Sequence, residues 1–162
     1  MAVTNQNTQA ILDVTKLITG KDGQLYVTTS DGAQVFLAEV DTFQAQMNIT
    51  NTDVQPVGSA QKFAVPTGFV ITLTLTEMVV RDDVMLKKLM DDLKNGLFPS
   101  FDFQGKLRRR DGSEQRQNFR NCVPDGNIDL MNLQPGEVVK RQWSFRVNGS
   151  PDLQDYFQTE AA

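Results

Sequence analysis

The chain has 162 residues, of which 40% are hydrophobic and 22% charged, and this balance predicts one compact domain with a core and not a disordered chain. Sixteen Lys and Arg against twenty Asp and Glu give a net charge of −4, which disfavours tight binding to free nucleic acid. There is no histidine and a single cysteine, Cys122. Histidine-dependent catalysis, histidine metal sites, an intrachain disulfide and a cysteine metal cluster are therefore excluded.

The N-terminal residues do not predict a signal peptide. Residues 1–9 are polar and lack the basic and apolar parts of a signal peptide, and no apolar run reaches the about 18 residues of a membrane span. We expect a protein made and assembled in the cytoplasm that does not itself bind membranes. Residues 1–23 are predicted to form an N-terminal arm, whose short apolar patch at residues 11–18 is either a helical turn or a strand.

The next segment predicts four strands. Residues 24–29 and 34–40 flank Ser30-Asp31-Gly32, in which the Asp-Gly pair is a strong hairpin signal. Two longer strands follow, one that begins at Thr42 and one that spans residues 68–80. Each alternates between an apolar face and a polar face. The apolar faces hold Phe43, Ala45, Met47 and Ile49 in the first strand and Phe69, Ile71, Leu73 and Leu75 in the second.

A long polar segment, residues 50–67, separates these two strands. It contains Pro56, Gly58 and Pro66, and its eighteen residues predict a loop longer than compact domains normally contain. Such loops are usually functional. The segment is therefore the first candidate for an interaction element.

One amphipathic helix is predicted over residues 82–95. Asp82 and Asp83 are suitable N-terminal capping residues, and Gly96 follows the last turn. Apolar residues at helical spacing predict the buried face, formed by Leu86, Leu89, Met90 and Leu93. Lys87, Lys88, Asp91 and Asp92 occupy the remaining face, which by itself indicates only a solvated surface.

Three further strands are predicted over residues 101–108, 115–123 and 138–147. In the last of them Arg141 falls on the same side as Trp143, Phe145 and Val147. This arginine is expected either to pair with a carboxylate or to mark a contact with a neighbour. Residues 148–162 form a predicted acidic C-terminal arm.

Weak motifs in the chain have ordinary structural explanations. Asp125-Gly126-Asn127-Ile128-Asp129 lacks the EF-hand spacing, and Gly20-Lys21-Asp22-Gly23 lacks the phosphate-loop spacing, so both are interpreted as turns. Cys122 is interpreted as a small core residue. Residues 106–110, Arg116 and Arg120 form a basic cluster. We favour a solvated tip or a docking patch for an acidic surface, such as the C-terminal tail, over a nucleic-acid site.

The order of elements resembles that of the tail tube proteins of contractile phages and of related prophage-derived bacteriocin particles. Gly20-Lys21-Asp22-Gly23-Gln24-Leu25-Tyr26-Val27 and Phe43-Gln44-Ala45 contribute to the likeness. The resemblance covers roughly residues 20–157, with a longer N-terminal extension than expected. It implies a mainly β fold with one α-helix, a β-sandwich or half-barrel over residues 24–147 whose long strands join across subunits into an inner barrel.

The same resemblance implies a structural role without cofactor, metal or catalytic residues. The subunit would form hexameric rings that stack into a hollow virion tail tube, through which DNA, or ions in bacteriocin-like particles, passes without specific binding. Further implied partners are a sheath protein, a tape-measure protein and baseplate or terminator proteins.

Three sets of residues follow as candidate assembly sites. The lumen-facing set comprises Thr42, Gln44, Gln46, Asn48, Thr72, Thr74 and Thr76. The ring-stacking loop set comprises Val54, Val57, Phe63 and Val65. The outer helix face that would contact a sheath comprises Lys87, Lys88 and Asp91.

Two other classes of function are weighed against this one. A monomeric β-sandwich would present the residue 50–67 loop to a host or carbohydrate partner. An enzyme would use paired carboxylates such as Asp125 and Asp129, for which the sequence shows no substrate-binding residues. Long uncharged strands and the absence of histidine favour the structural subunit.

Overall fold

The computed structural model describes residues 17–28, 32–78, 82–83, 85–150 and 152–158. A 3-10 turn at Gly20–Asp22 leads into the strands β1 (Gly23–Thr28), β2 (Gln34–Phe36), β3 (Val40–Val54) and β4 (Phe63–Met78), helix α1 (Leu86–Lys94), and the strands β5 (Phe101–Arg108), β6 (Glu114–Pro124), β7 (Lys140–Val147) and β8 (Asp152–Asp155). Most of the predicted N-terminal arm and the turn of the first hairpin lie outside the described residues.

All eight strands belong to one antiparallel sheet, in the order β2-β1-β5-β6-β7-β4-β3, with β8 paired to β6. The sheet does not close into a barrel, because the end strands β2 and β3 do not pair with each other. It does curl, since the ring of Phe43 near the start of β3 lies 6.1 Å, centre to centre, from that of Phe119 on β6. The predicted mainly β fold with one helix is confirmed as an open half-barrel.

The core lies inside the curl, where the inward residues of β1, β4, β5 and β7 meet. Trp143 and Phe145 are fully buried and stack with their ring centres 5.9 Å apart. Where β4 and β7 border the core, the alternation follows the sequence pattern, with Leu73, Leu75, Trp143 and Phe145 on the buried face. Leu89 and Met85 belong to the same core.

The helix begins later than predicted. Asp82 and Asp83 were expected to cap it, but α1 starts at Leu86 and its N-cap makes no side-chain hydrogen bond. The Asp82 carboxylate instead accepts a hydrogen bond from Arg141 at 2.8 Å. The predicted C-terminal end is confirmed, since Gly96 has φ +74° and the N–H groups of Gly96 and Leu97 bond to the last-turn carbonyls of α1 in a Schellman arrangement.

The predicted loop over residues 50–67 is wrong. β3 and β4 continue pairing as far as Val54 with Phe63, so the connection is only residues 55–62. The long strands thus extend as a two-stranded hairpin whose residues 50–58 and 61–69 are all exposed. The C-terminal arm also needs correction, because residues 152–155 add β8 to the sheet.

Candidate assembly surfaces

A polar wall runs along the outer face of β3, β4 and β7. The register pairs Thr42 with Thr76, Gln44 with Thr74, and Gln46 with Thr72, while Asn48 pairs with Val70. Directly paired residues in an antiparallel sheet point to the same side. All seven predicted lumen-facing residues therefore share one face, opposite to the face that contributes Leu73 and Leu75 to the core.

Strand β7 extends this wall with residues that the sequence analysis did not assign to it. Gln142, Ser144 and Arg146 of β7 pair with Thr76, Thr74 and Thr72. Their polar alternation was visible in the sequence, but their position beside β4 was not. Lys140 lies on the same face of β7 and forms an ion pair with Asp41 at 3.0 Å. Arg146 adds an exposed cation to the wall.

The outer edge of β3 has no neighbouring strand among the described residues, because β3 ends the strand order. This edge is 15 residues long, about 50 Å at the usual rise per residue. Long unpaired edges readily recruit another strand. The edge and the polar wall lie on the same pair of strands.

The distal hairpin carries an apolar patch. An extra residue in β4, Thr67, breaks the register between Thr50 and Asn51. A one-residue insertion reverses which face successive side chains of the strand point to. Phe63 and Val65 therefore lie on the same face of the hairpin as the polar wall. There they lie with Val54, and these three side chains, which we term the distal patch, are 46 to 48% exposed.

Val57 was predicted to belong with these residues, and the structure places it at the hairpin turn. Its side chain is fully exposed, and it lies in a β-turn next to Gly58, whose φ is +85°. The predicted ring-stacking residues thus divide into a paired patch of three and one tip residue.

The outward face of α1 carries the three predicted sheath-contact residues. Lys87 and Asp91 are exposed, and Lys88 lies 3.6 Å from Asp92, one turn further on. A surface i,i+4 pair on a helix contributes only about 0.3 to 0.5 kcal/mol. The face is therefore solvated in the single chain, as expected.

The basic cluster is largely paired within the chain. Glu114 lies within 4 Å of Lys106, Arg108 and Arg116, and its hydrogen bond with Arg116 lowers the pKa of the Glu114 carboxyl. Docking of the acidic C-terminal segment onto this cluster is confirmed by ion pairs joining Asp155 to Arg116 at 3.2 Å and Asp152 to Arg120 at 3.3 Å.

The remaining candidates for chemistry have structural roles. The backbone N–H groups of Asp125 and Asp129 donate to carbonyls of β7, and no group of three potential metal-ligating residues occurs within the described ranges. Cys122 is fully buried, and burial raises the pKa of its thiol to about 12. Across the described helices, none has the length and apolarity that a bilayer crossing requires.

A family model described as phage tail tube protein matches residues 10–152. The chain belongs to the phage tail tube protein family. It is accordingly a structural component of a phage-type tail and not an enzyme. No curated protein sequence matches it significantly.

Solved structures share the fold of this tail tube protein at low identity. The SPP1 tail tube matches with a TM-score of 0.65 and 14% identity over 88% of this chain and 81% of the other. A chain of the sheath–tube complex of the PVC extracellular contractile injection system in its extended state matches at 0.62 and 13%, over 95% and 100%. A chain of the tail of an empty gene transfer agent particle, refined with C6 symmetry, matches at 0.58 and 11%, over 84% and 98%.

Proposed function

We propose that this tail tube subunit closes into hexameric rings that stack into a hollow conduit lined by the polar wall. The observation that carries the proposal is that an uncharged polar face and a long unpaired strand edge lie on the same strand pair, β3 and β4. Pairing of the β3 edge with the next subunit would cover the edge, and ring closure would leave no exposed end. The C6 symmetry used for the gene transfer agent tail supports six copies.

The chemistry of the wall suits passage without retention. Glutamine, asparagine and threonine side chains hydrogen-bond water and carry no charge to hold phosphates. Arg146 would add one cation per subunit at the level of Gln46 and Thr72. The conduit would pass DNA in a phage-type particle, or ions in a bacteriocin-like one, without a specific DNA contact.

The other partners follow from the outer surfaces. The Lys87, Lys88 and Asp91 face of α1 is the proposed sheath contact, and baseplate, terminator and tape-measure proteins would bind the ends and the interior of the tube. In the assembled form we propose that residues 24–147 form the tube wall, that β8 of the C-terminal segment stays paired with β6, and that the N-terminal segment flanks the wall.

Cysteine accessibility in assembled tubes tests the lumen assignment. Gln44→Cys and Asn48→Cys should react with a small maleimide but not with a polymer-linked maleimide too large to enter a tube. Lys87→Cys should react with both reagents. Cys122 provides a silent background, because its pKa of about 12 keeps the buried thiol protonated.

Electron microscopy supplies the accompanying readout for assembly. Concentrated protein should form six-fold rings or hollow tubes, and deletion of residues 53–61 should leave a folded subunit that cannot elongate. Labelling of Gln44→Cys by the large reagent in intact tubes would overturn the lumen assignment. A chain that stays monomeric at every concentration would instead favour the binding module that presents its hairpin to a host or carbohydrate partner.

A further inference from the structure

An open groove lies at the end of β3 opposite the distal patch. It has a volume of about 650 Å³ and lies between residues 40–45 and the surfaces of β1, β5 and β6. Phe43, Leu107 and Phe119 contribute to its apolar lining, and all three are only partly buried. We term this feature the proximal groove. Its volume falls in the range of about 300 to 1,000 Å³ that is typical of binding pockets, so several apolar side chains can enter it.

Gly105 on β5 keeps the groove open. A Cβ added there would lie 3.7 Å from Phe43 Cε1 and 3.9 Å from Phe119 Cε2. Both distances are ordinary van der Waals contacts. An alanine methyl group would therefore fit at this position, whereas a leucine side chain would extend into the groove and fill part of it.

The chain that precedes β1 arrives at the rim of this groove. Gly20 at the start of the 3-10 turn and Gly23 just past its end both line the groove. Two hydrogen bonds hold the turn, since the Thr19 N–H donates to Asp22 Oδ2 at 3.1 Å and the Asp22 N–H donates to the Thr19 carbonyl at 3.0 Å. Residues 10–16 precede this turn and lie outside the described part of the chain.

Residues 10–16 supply apolar side chains that suit such a groove. They include Ile11, Leu12 and Val14, whereas residues 1–9 are mostly polar. Ile11 precedes Gly20 by nine positions, which span about 14 Å even at the short rise of a helix. A tether this short holds a segment near its site at an effective concentration on the order of mM. In dilute solution the segment of the same chain therefore outcompetes that of any other copy.

We propose that residues 10–16 of each chain dock in the proximal groove of the same chain. Ile11, Leu12 and Val14 pack against the lining of the groove and remove its apolar surface from water. The segment thereby extends the core of the open half-barrel into the groove. The inference concerns the single chain and does not depend on tube formation.

An intrachain disulfide tests the docking directly. Ala45 lines the groove, so Val14→Cys with Ala45→Cys in one chain should form a link between positions 14 and 45 when dilute monomer is oxidised. Val14→Cys with Lys87→Cys is the matched control and should give no link, because Lys87 is exposed on α1. Cys122 stays silent, since its buried thiol has a pKa of about 12.

A mixture of the two single variants shows which chain supplies the segment. Oxidation of Val14→Cys protein mixed with Ala45→Cys protein should give no link between copies. A link between copies that forms as readily as the intrachain one would mean that a second copy fills the groove, and it would overturn the inference.

A charge in the segment provides an independent readout. A carboxylate is disfavoured in an apolar groove, so adding Val14→Asp should make the Ala45→Cys thiol of dilute monomer react with a small maleimide at least about tenfold faster. Thr4→Asp adds the same charge outside residues 10–16 and should leave the rate unchanged. Equal rates in the two charge variants would contradict the docking.

Filling the groove from β5 should release the segment. Gly105→Leu should make the bond after Lys16 at least about tenfold more sensitive to trypsin, whereas Gly105→Ala should not change the cleavage rate. Trp143 fluorescence checks that both variants are folded, and Val14→Asp gives the same test without altering the groove. Cleavage after Lys16 that is as fast in the wild-type chain as in Val14→Asp would refute the proposal. All of these measurements use dilute monomer, so a failure of tube assembly would overturn the proposed function and leave this inference standing.

Discussion

Arg141 is a buried cation whose removal should destabilise the subunit strongly. Arg141 is 6% exposed and Glu77 is 4% exposed. The Arg141 Nη1 atom donates to Asp82 Oδ1 at 2.8 Å and lies 3.6 Å from Glu77 Oε1. The indole N–H of Trp143 donates to the same Glu77 oxygen at 2.8 Å. Arg141→Met would leave the Glu77 carboxylate buried without its cation.

The size of the effect follows from the unequal burial of the two acids. Removing one partner of a buried ion pair costs about 3 to 5 kcal/mol, because the other charge stays desolvated. Asp82 is 55% exposed at its side chain, so water can replace Arg141 there. Glu77 keeps its Trp143 hydrogen bond. We therefore expect a loss near the lower limit, about 3 kcal/mol at neutral pH.

A second substitution should recover much of that loss. In Arg141→Met with Glu77→Gln, the amide oxygen can still accept the Trp143 hydrogen bond, and no buried charge remains. Replacing both partners of a buried pair by neutral groups is often close to neutral in stability. The double variant should therefore be more stable than Arg141→Met alone.

The pH dependence supplies a second signature. Burial raises the pKa of the Glu77 carboxyl above its ordinary value of 4.5. The folded chain then binds more protons at this site than the unfolded chain, so the Glu77 contribution to stability decreases as the pH rises from 4.5 through the folded-state pKa. Arg141→Met should extend this decrease to higher pH, and Glu77→Gln should abolish it.

Urea unfolding of dilute monomer, followed by Trp143 fluorescence near pH 5 and pH 7, measures these differences. A loss below about 1 kcal/mol for Arg141→Met at neutral pH, or a double variant no more stable than the single one, would refute the coupling of these charges.

Three further predictions concern other parts of the subunit. Gly149→Ala should lower stability by about 1 to 3 kcal/mol in thermal unfolding, because the new Cβ would lie 2.6 Å from the Arg120 carbonyl oxygen, whereas Gly20→Ala has nothing within 4 Å and should be neutral; equal melting temperatures would contradict this. With its pKa of about 12, the Cys122 thiol should not react with a disulfide reagent near pH 8 until the chain unfolds, and rapid labelling of folded protein would disprove its burial. Asp152→Asn with Asp155→Asn removes two exposed ion pairs and should cost less than about 2 kcal/mol, an effect that disappears in about 1 M salt; a salt-independent loss would mean that β8 is held in another way.

The parts of the fold that sequence reasoning predicted are those that face a core. Leu73 and Leu75 alternate with Thr72 and Thr74 because one face must be buried, and this period gives both the strand and the common face of the wall. Gly96 correctly predicted the C-terminal end of α1, because a helix often ends at a residue with left-handed φ and glycine adopts that conformation easily.

The distal hairpin escaped prediction because both of its faces are exposed. Without a core to face, residues 50–54 and 63–67 need no alternation, and their polar composition resembles that of a loop. Pro66, which normally argues against a strand, is tolerated next to the bulge at Thr67. Only long-range pairing distinguishes this ribbon from a loop.

The order of strands in the sheet also could not be predicted from the sequence, since no local pattern indicates that β7 lies between β4 and β6. The sequence therefore indicated the polar residues of β7 but not their place in the wall. The predicted capping role of Asp82 was wrong for a related reason. Its position suited a helix cap, but a buried arginine 59 positions further along the chain competes for the same carboxylate.

The division of β3 and β4 into a buried half and an exposed half joins folding to assembly. In the buried half, Leu73 and Leu75 pack on Trp143 and Phe145, so the strand direction is fixed by the core. The exposed half continues in that direction with only its own pairing, and an isolated two-stranded ribbon is marginally stable in water. A neighbour that covers the distal patch would therefore stabilise the ribbon as well as the contact. Assembly would therefore stabilise the exposed halves of the two strands whose buried halves are already held in place by the core.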